Sequence, residues 1–301
     1  MERTQRLPVW FRQSVPRAAT IKALRDSFDE LGLNTVCRSS HCPNLGQCWE
    51  KGVATFMILG DVCTRRCRFC AVSNGLPKAV NPDEPKVLAQ AVKKLGLEYI
   101  VITSVTRDDL EDKGAGHFSK TIIALRLLNP EIKIEILIPD FSADVNLIKI
   151  VAQARPEVIA HNIETVRRLT AILRPQADYD RSLSVLRMIK ESNPQIVVKS
   201  GLMLGLGETA DEIDQTMKDL FLNGCDILTI GQYLSPSRDS RHVRVGKFIS
   251  LQEFADYKDK ALSLGFKYVL SGPLVRSSYL AKEAYQGCLE RKEGSLGKVL
   301  L

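Results

Sequence analysis

No apolar run in this chain of 301 residues approaches the roughly 18 residues needed to cross a bilayer, so a membrane-spanning helix is not expected. The opening stretch, MERTQRLPVWFRQSVPRAAT, lacks the apolar core of a signal peptide, and no other targeting segment is obvious despite its arginines. A soluble protein of the reducing cytoplasm is expected, which makes a disulfide framework improbable. There is no repeat of fixed period and no low-complexity tract. With 45% hydrophobic and 26% charged residues the composition is that of an ordinary globular chain, able to bury a sizeable core without staples.

What the chain does have is clustered cysteine. Six of its eight cysteines form two triads, Cys37-x4-Cys42-x5-Cys48 and Cys63-x3-Cys67-x2-Cys70. Three thiolates apiece suit neither a closed tetrahedral zinc site nor a set of internal disulfides, and only Cys67-x2-Cys70 has the common zinc-hook spacing. A cubane iron–sulfur cluster takes one ligand per iron, so a triad leaves one iron open for chemistry. Cys225, at an expected helix-to-strand junction, and Cys288, near the tail, have no clustered partners and read as small packing residues.

Length suggests about two domains, but an α/β barrel of roughly 250 residues with appendages fits as well. Lys plus Arg number 42 against 35 Asp plus Glu; the resulting +7 favours an acidic partner, either nucleic acid or an acidic carrier protein.

Apolar or β-branched runs at 54–59, 99–105, 133–139, 158–163, 197–204 and 226–233 are expected strands; amphipathic stretches at 86–95, 117–128, 145–154, 180–190 and 209–222 are expected helices. This alternation requires parallel strands with crossover helices, hence a doubly wound sheet or a full or partial barrel. The loop triad, Cys63 to Cys70, follows the first strand directly, at the carboxyl end where α/β enzymes place their chemistry. Thr103, Ser104, His161, Asn162, Glu164, Lys199 and Gln232 end other strands and are expected around the same mouth, although each is equally well explained as solvated strand-end polarity. Residues 1–52 carry the arm triad, broken into loops by Pro43, Gly46 and Gly52. The basic stretch 235–247 is expected to be a substrate-facing loop or a solvated turn, followed by a helix at 251–264 and a short tail.

Cys63-x3-Cys67-x2-Cys70, with Phe69 before the last cysteine, resembles the signature of the radical S-adenosylmethionine (SAM) superfamily. The likeness sharpens to the lipoyl synthase family and spans nearly the whole chain. It is carried by Thr35-Val36-Cys37, His41-Cys42-Pro43-Asn44, Cys48-Trp49-Glu50, the run from Phe56 to Arg65, and Thr103-Ser104-Val105 with Arg107-Asp108-Asp109-Leu110. Further matches are Ile138-Pro139-Asp140-Phe141, the run from His161 to Val166, Arg174-Pro175, the run from Lys199 to Thr209, Gly231-Gln232-Tyr233-Leu234 and Arg276-Ser277-Ser278-Tyr279.

The resemblance implies an α/β fold: a partial TIM-type (β/α)6 barrel over 53–270, an N-terminal cluster-binding arm over 1–52 and a short C-terminal extension over 271–301. It implies two [4Fe–4S] clusters and SAM as cofactors. Cys63, Cys67 and Cys70 would bind the cluster whose open iron chelates SAM, where an electron passed into the sulfonium gives a 5′-deoxyadenosyl radical. Cys37, Cys42 and Cys48 would hold an auxiliary cluster spent as the sulfur donor, with Ser278 as its fourth ligand. Ser104, Asn162 and Arg174 are the candidate polar contacts to SAM. The glycine-rich stretch 201–207 lacks a Walker lysine and the dinucleotide fingerprint in register, which leaves close approach to adenine or a plain strand end. The implied reaction inserts two sulfur atoms at C6 and C8 of an octanoyl chain on a lysine of a lipoyl domain or of the glycine cleavage H protein, with two SAM molecules cleaved. An electron donor such as ferredoxin or flavodoxin and a carrier that rebuilds the spent cluster are implied; nucleic acid and membrane partners are not. His117 and His242 read as surface or loop histidines.

Thr106, Lys113 and Arg167 depart from the usual family pattern, which touches local loop shape but no cluster ligand. Two other readings stand beside this one. A methylthiotransferase acting on RNA or a ribosomal protein would need an appended domain, for which only about thirty residues remain after Leu270. The other is a zinc-stapled RNA-binding protein.

Overall fold

The computed structural model describes residues 7–12, 18–50 and 54–296; Gly52, read above as a loop breaker, lies outside them. Strand β1 (Asn34–Thr35) pairs antiparallel with β2 (Thr55–Ile58). A separate two-residue parallel pair, β3 (Val62–Cys63) with β4 (Ser73–Asn74), forms in the loop after β2. From β2 the main sheet continues through β5 (Tyr99–Ser104), β6 (Lys133–Leu137), β7 (Val158–Ala160), β8 (Val197–Leu204), β9 (Ile227–Gln232) and β10 (Tyr268–Gly272), each parallel to the last. The order is β1-β2-β5-β6-β7-β8-β9-β10, with β1 and β10 as its two edges. This is the expected partial barrel, extended by a parallel strand, β10, inside what the sequence presents as a short tail.

Helices α1 (Ala18–Glu30), α2 (Val36–Ser39) and α3 (Leu45–Glu50) belong to the arm. Crossovers are made by α4 (Glu84–Lys94), α5 (Ala115–Leu128), α6 (Val145–Gln153), α7 (Arg167–Leu173) with α8 (Tyr179–Ser192), α9 (Ala210–Leu222) and α10 (Leu251–Leu264), and α11 (Ala281–Leu296) follows β10. Capping boxes start α9 (Thr209 with Glu212) and α10 (Ser250 with Glu253), and Gly265, at φ 112°, ends α10 in the left-handed region. Covered by helices outside and side chains inside, the strands are buried on both faces, which is why they read as continuous apolar runs rather than alternating ones.

Val158, Val197 and Ile227, at the amino ends of three strands, pack with Ala284 and Cys288 of α11. Helix α11 therefore plugs the barrel at the pole opposite the loop triad, and Cys288 is the packing residue expected. Cys225 is likewise buried, in the turn between α9 and β9. One layer further in, Lys199 shares the inward face of β8 with Val197. Its Nζ lies 2.7 Å from Glu135 Oε1, and Tyr99 donates to Glu135 Oε2 at 2.7 Å. Burial and the neighbouring Glu135 both push the Tyr99 phenol above its ordinary range. Lys199 is thus not at the mouth, where its place near a strand end suggested; it neutralises a carboxylate inside the barrel. Gln232 also leaves the mouth: it donates to the Leu204 and Lys247 carbonyls and accepts from Ile249 N–H, holding the loop after β9 against the sheet.

Residues 273–280 run from the end of β10 to α11. A Cβ on Gly231 would lie 2.1 Å from the Val275 carbonyl oxygen, so glycine is what lets this strap press on β9. Gly205 has a parallel reason: at φ +95°, its missing Cβ leaves room for the Lys247 carbonyl, 2.3 Å away. Gly205 therefore serves packing of the chain against itself, whereas Gly207, at φ +105° with open space where a Cβ would be, serves the turn of the backbone. Helix α7 was not expected, and β7 stops at Ala160 rather than continuing to 163 because the backbone turns toward Glu164, at φ 67°.

Glu135→Gln is expected to strand the Lys199 charge in the barrel and to destabilise the fold by about 3 kcal/mol or more in urea unfolding; the paired change Glu135→Leu with Lys199→Met should cost less than either single change.

Candidate active site

The loop triad is held by its neighbours rather than by its own cysteines. Arg65, buried between Cys63 and Cys67, spreads its guanidinium over two carboxylates, with Nη1 and Nη2 at 2.8 and 2.7 Å from Asp140 and Nε and Nη2 at 2.8 and 2.9 Å from Asp108. Asp108 follows β5 and Asp140 follows β6, so this fork ties the cysteine loop to two further strand ends. Desolvation works against the charge on Arg65, but these bonds outweigh it and raise its pKa. Burial alone would raise Asp140; hydrogen bonds from Arg65 hold it well below the carboxylate range instead, and Arg181 Nε adds a contact at 3.0 Å.

The remaining anchors are backbone. Arg66 N–H donates to Gln176 Oε1, Arg68 N–H to the Leu173 carbonyl, and Val243 N–H to the Arg68 carbonyl. His242, expected in a loop, is in one but buried: Nε2 donates to the Cys70 carbonyl at 3.0 Å while Nδ1 accepts from Ser237 Oγ at 2.7 Å. His117, expected near the surface, is buried on α5, 2.7 Å from Glu84 Oε2. Cys63 Sγ accepts N–H groups from Arg65 and Thr106 at 3.4 and 3.3 Å, so Thr106, expected to bear on loop shape alone, does touch a cysteine of the loop triad, through its backbone.

Cys63, Cys67 and Cys70 form one wall of a cleft of about 220 Å³ at the carboxyl ends of the strands. Ser104, Asn162 and Arg174 line the same cleft, with Thr103, Asp140, His161 and Glu164. The sequence-expected SAM contacts are therefore gathered with the loop triad. Four buried polar atoms there have no partner: Ser104 Oγ, His161 Nε2, Asn162 Oδ1 and Arg174 Nε. Buried polar groups are nearly always satisfied, so four orphans in one cleft mark a surface shaped for a polar ligand. Burial lowers His161 to about 4, leaving it neutral, and raises Glu164 despite Arg174 and Asn162 beside it. Glu164, expected at the mouth as a strand-end residue, is there and held at a left-handed backbone position, whereas the Arg65 fork is a site feature the strand-end reading did not single out. Acidic residues recurring just after successive strands, Asp108 and Asp140, were the available signal.

The arm triad lies against the first edge of the barrel. Cys37 is buried beside an aromatic group in which Phe28 meets Trp49 and Phe56 edge-on, each at 5.5 Å between ring centroids. Val36, one residue before Cys37, lines the strand-end cleft. Cys48 and Tyr279 line another cavity, of about 250 Å³, toward the amino ends of β2 and β5. The strap comes to the arm: Asn44 Nδ2 donates to the Leu274 carbonyl at 2.6 Å, and Arg276, whose pKa burial lowers, feels Cys42 as the opposing charge. Ser278 sits in the strap turn between Arg276 and Tyr279, partly buried.

Among the described residues no three His, Cys, Asp or Glu side chains converge as ligands of a single metal ion. None of the eight cysteines is in a disulfide. Burial raises the pKa of Cys42 and Cys67 and pushes Cys70 up to about 12, so their thiolates need a cationic partner. Iron in a cluster supplies one, and it takes one thiolate per iron.

A thiol triad on the first strand-end loop of an open parallel barrel, facing orphaned polar groups, is the architecture of a radical SAM protein, and the model described as Radical SAM superfamily matches residues 57–220. A solved structure, SuiB of Streptococcus suis bound to S-adenosylmethionine, shares this fold, with a TM-score of 0.53 at 12% identity over 80% of this chain and 51% of that one. A lipoyl synthase of Caldicellulosiruptor saccharolyticus is 51% identical over 276 residues, 92% of this chain and 96% of that one. Another, of Anaeromyxobacter sp. (strain Fw109-5), is 50% identical over 284 residues, 94% of this chain and 96% of that one. The chain belongs to the lipoyl synthase family, and the methylthiotransferase and zinc-stapled readings give way to that membership.

Asp140→Asn removes the charge and one of the two acceptor oxygens of a buried fork, setting an NH2 against the Arg65 guanidinium, and is expected to cost about 3 kcal/mol in denaturant unfolding at neutral pH. Because the folded pKa of Asp140 is depressed, its contribution is complete above the unfolded carboxylate value and is lost as pH falls below about 4; the difference between parent and variant should therefore shrink in acid.

Proposed function

We propose that the chain inserts two sulfur atoms, at C6 and C8, into an octanoyl chain carried on a lysine of a lipoyl domain or of the glycine cleavage H protein. The observation that carries this is the pair of triads on either side of one wall: the loop triad opens into a cleft with unsatisfied polar groups, and Val36 of that cleft adjoins Cys37 of the arm. In this reading Cys63, Cys67 and Cys70 hold one [4Fe–4S] cluster, and Cys37, Cys42 and Cys48 with Ser278 hold the other. When bound, the first supplies the electron that cleaves SAM and the second supplies sulfur.

The side chains of this chain then have separate tasks. Arg174, with Nε unpartnered, suits the SAM carboxylate; Glu164, close to it, suits the ammonium group; Ser104 and Asn162 offer a hydroxyl and an amide oxygen to the remaining polar atoms. Neutral His161 keeps a second positive charge out of the cleft. Ser278 as a hard oxygen ligand is the poorest match to iron in a sulfide cluster, so its corner opens most easily. In this reading the strap carries that serine to the arm, which the Asn44 to Leu274 bond, between residues 230 positions apart, supports.

The arm over 1–52, the barrel over 53–270 and the segment over 271–301 thus act as sulfur source, radical site and ligand-bearing strap. Among the described residues no helix is long and apolar enough to cross a membrane. A cytoplasmic enzyme served by ferredoxin or flavodoxin and by a cluster-rebuilding carrier is the setting this reading requires.

Anaerobic reconstitution should give about eight irons and eight sulfides per chain, two cubanes' worth. Cys63→Ala is expected to stop deoxyadenosine formation, while Cys37→Ala and Ser278→Ala keep it and yield no thiolated carrier peptide by mass analysis. Full lipoyl product from Ser278→Ala would remove the serine from the ligand set, and continued deoxyadenosine from Cys63→Ala would contradict the assignment of the loop triad.

A further inference from the structure

The three loop cysteines also line a second cavity, of about 250 Å³, together with Arg65, Val72 and Asn74 and with the exposed Arg66, Arg68 and Arg241. These arginines serve the protein differently from Arg65. Arg66 and Arg68 are exposed, and neither has a carboxylate within ion-pair distance among the described residues. Arg241 reaches Asp239 at 3.6 Å and Asn74 Oδ1 at 3.3 Å. Two residues beyond Asn74, Leu76 is 90% exposed. Arg68 Nε donates to the Arg241 carbonyl at 3.5 Å, but no carboxylate among the described residues neutralises Arg66 or Arg68, and exposed like charges around a cavity concentrate positive potential at an opening that leads to three thiols.

From this we infer that the Arg66, Arg68 and Arg241 rim is the docking surface for an acidic one-electron donor protein, an inference that rests on the loop triad holding a reducible cluster. The carrier protein fits the same charge less well. Its octanoyl chain must reach both triads, whereas this cavity touches only the loop triad; Cys48 lines a cavity with Glu98 and Tyr99 toward the amino ends of the strands. An electron needs the first cluster alone. In the transfer the donor is oxidised by one electron and the cluster reduced by one; no bond forms or breaks and no proton moves at the rim. Exposed arginines act mainly by steering and orienting such an encounter, so their effect is salt-dependent.

The test uses the reconstituted full chain and flavodoxin as the acidic donor. Arg66→Gln with Arg68→Gln is expected to weaken flavodoxin binding, measured by titration calorimetry at low salt, about tenfold, and to flatten its salt dependence. Flavodoxin-driven deoxyadenosine formation at subsaturating donor should fall in step, while dithionite-driven formation and binding of the octanoylated carrier stay at the parent level. Arg66→Lys with Arg68→Lys should restore most of the donor affinity. Unchanged flavodoxin affinity overturns the inference, and weakened carrier binding with donor affinity intact reassigns the rim to the substrate protein. A fall in dithionite-driven cleavage with donor affinity intact means that the arginines support the cysteine loop instead. Failure of the parent protein to take up iron and cleave SAM with dithionite would count against the proposed function itself, separately from the docking surface.

Discussion

The fork of Arg65 over Asp108 and Asp140 is the constraint on which the site depends. A loop carrying three cysteines has no reason of its own to stay ordered: its thiols are half-buried, burial raises the pKa of Cys67 and Cys70, and its only regular structure is a two-residue strand pair. One guanidinium, placed between the first two cysteines and bound by two carboxylates from successive strand ends, converts that loop into a fixed rim. A lysine there could not do the same, because a point charge cannot present two parallel donors to one carboxylate and two to another.

The open sheet allows two reactive centres to share one barrel. A closed barrel would surround its lumen with strand on every side. Here the edges at β1 and β10 are left to the arm and the strap, joined by the Asn44 to Leu274 bond, and on the proposed ligand assignment this sets the second centre at the side of the barrel rather than at its mouth. Inside, the charges of Glu135 and Lys199 cancel within one ion pair below the cleft. The lumen is thereby filled at mid-height, and the plug of α11 closes the pole beneath it.

Much of this was legible because the chemistry needs rare residues at fixed intervals. The triads, the strand-first position of Cys63 and the alternation of apolar runs with amphipathic stretches give the partial barrel, and the strand-end positions of Ser104 and Asn162 put them in the cleft. What stayed hidden depended on pairing at long range. Whether Lys199 faces the mouth or the lumen is settled by its parity with Val197 and by a carboxylate 64 positions away. His242 looks like any loop histidine until the chain returns it to Cys70, and β10 is too short and too close to the tail to stand out before its pairing with β9 is known. Arg65 was visible, but its partners arrive only when three loops meet.

The supports of Cys63 to Cys70 are spread far down the chain: Asp108, Asp140, Leu173, Gln176 and finally His242, 172 positions after Cys70. On a ribosome adding roughly 5–20 residues per second, the nascent loop waits on the order of ten seconds or more between emergence of its ligands and arrival of its last brace. The arm waits longer still, until Leu274 is made. Iron delivered during translation would thus meet a loose set of thiols, whereas iron delivered after release meets a finished socket, and the two sockets mature in the reverse of the order in which their cysteines are translated.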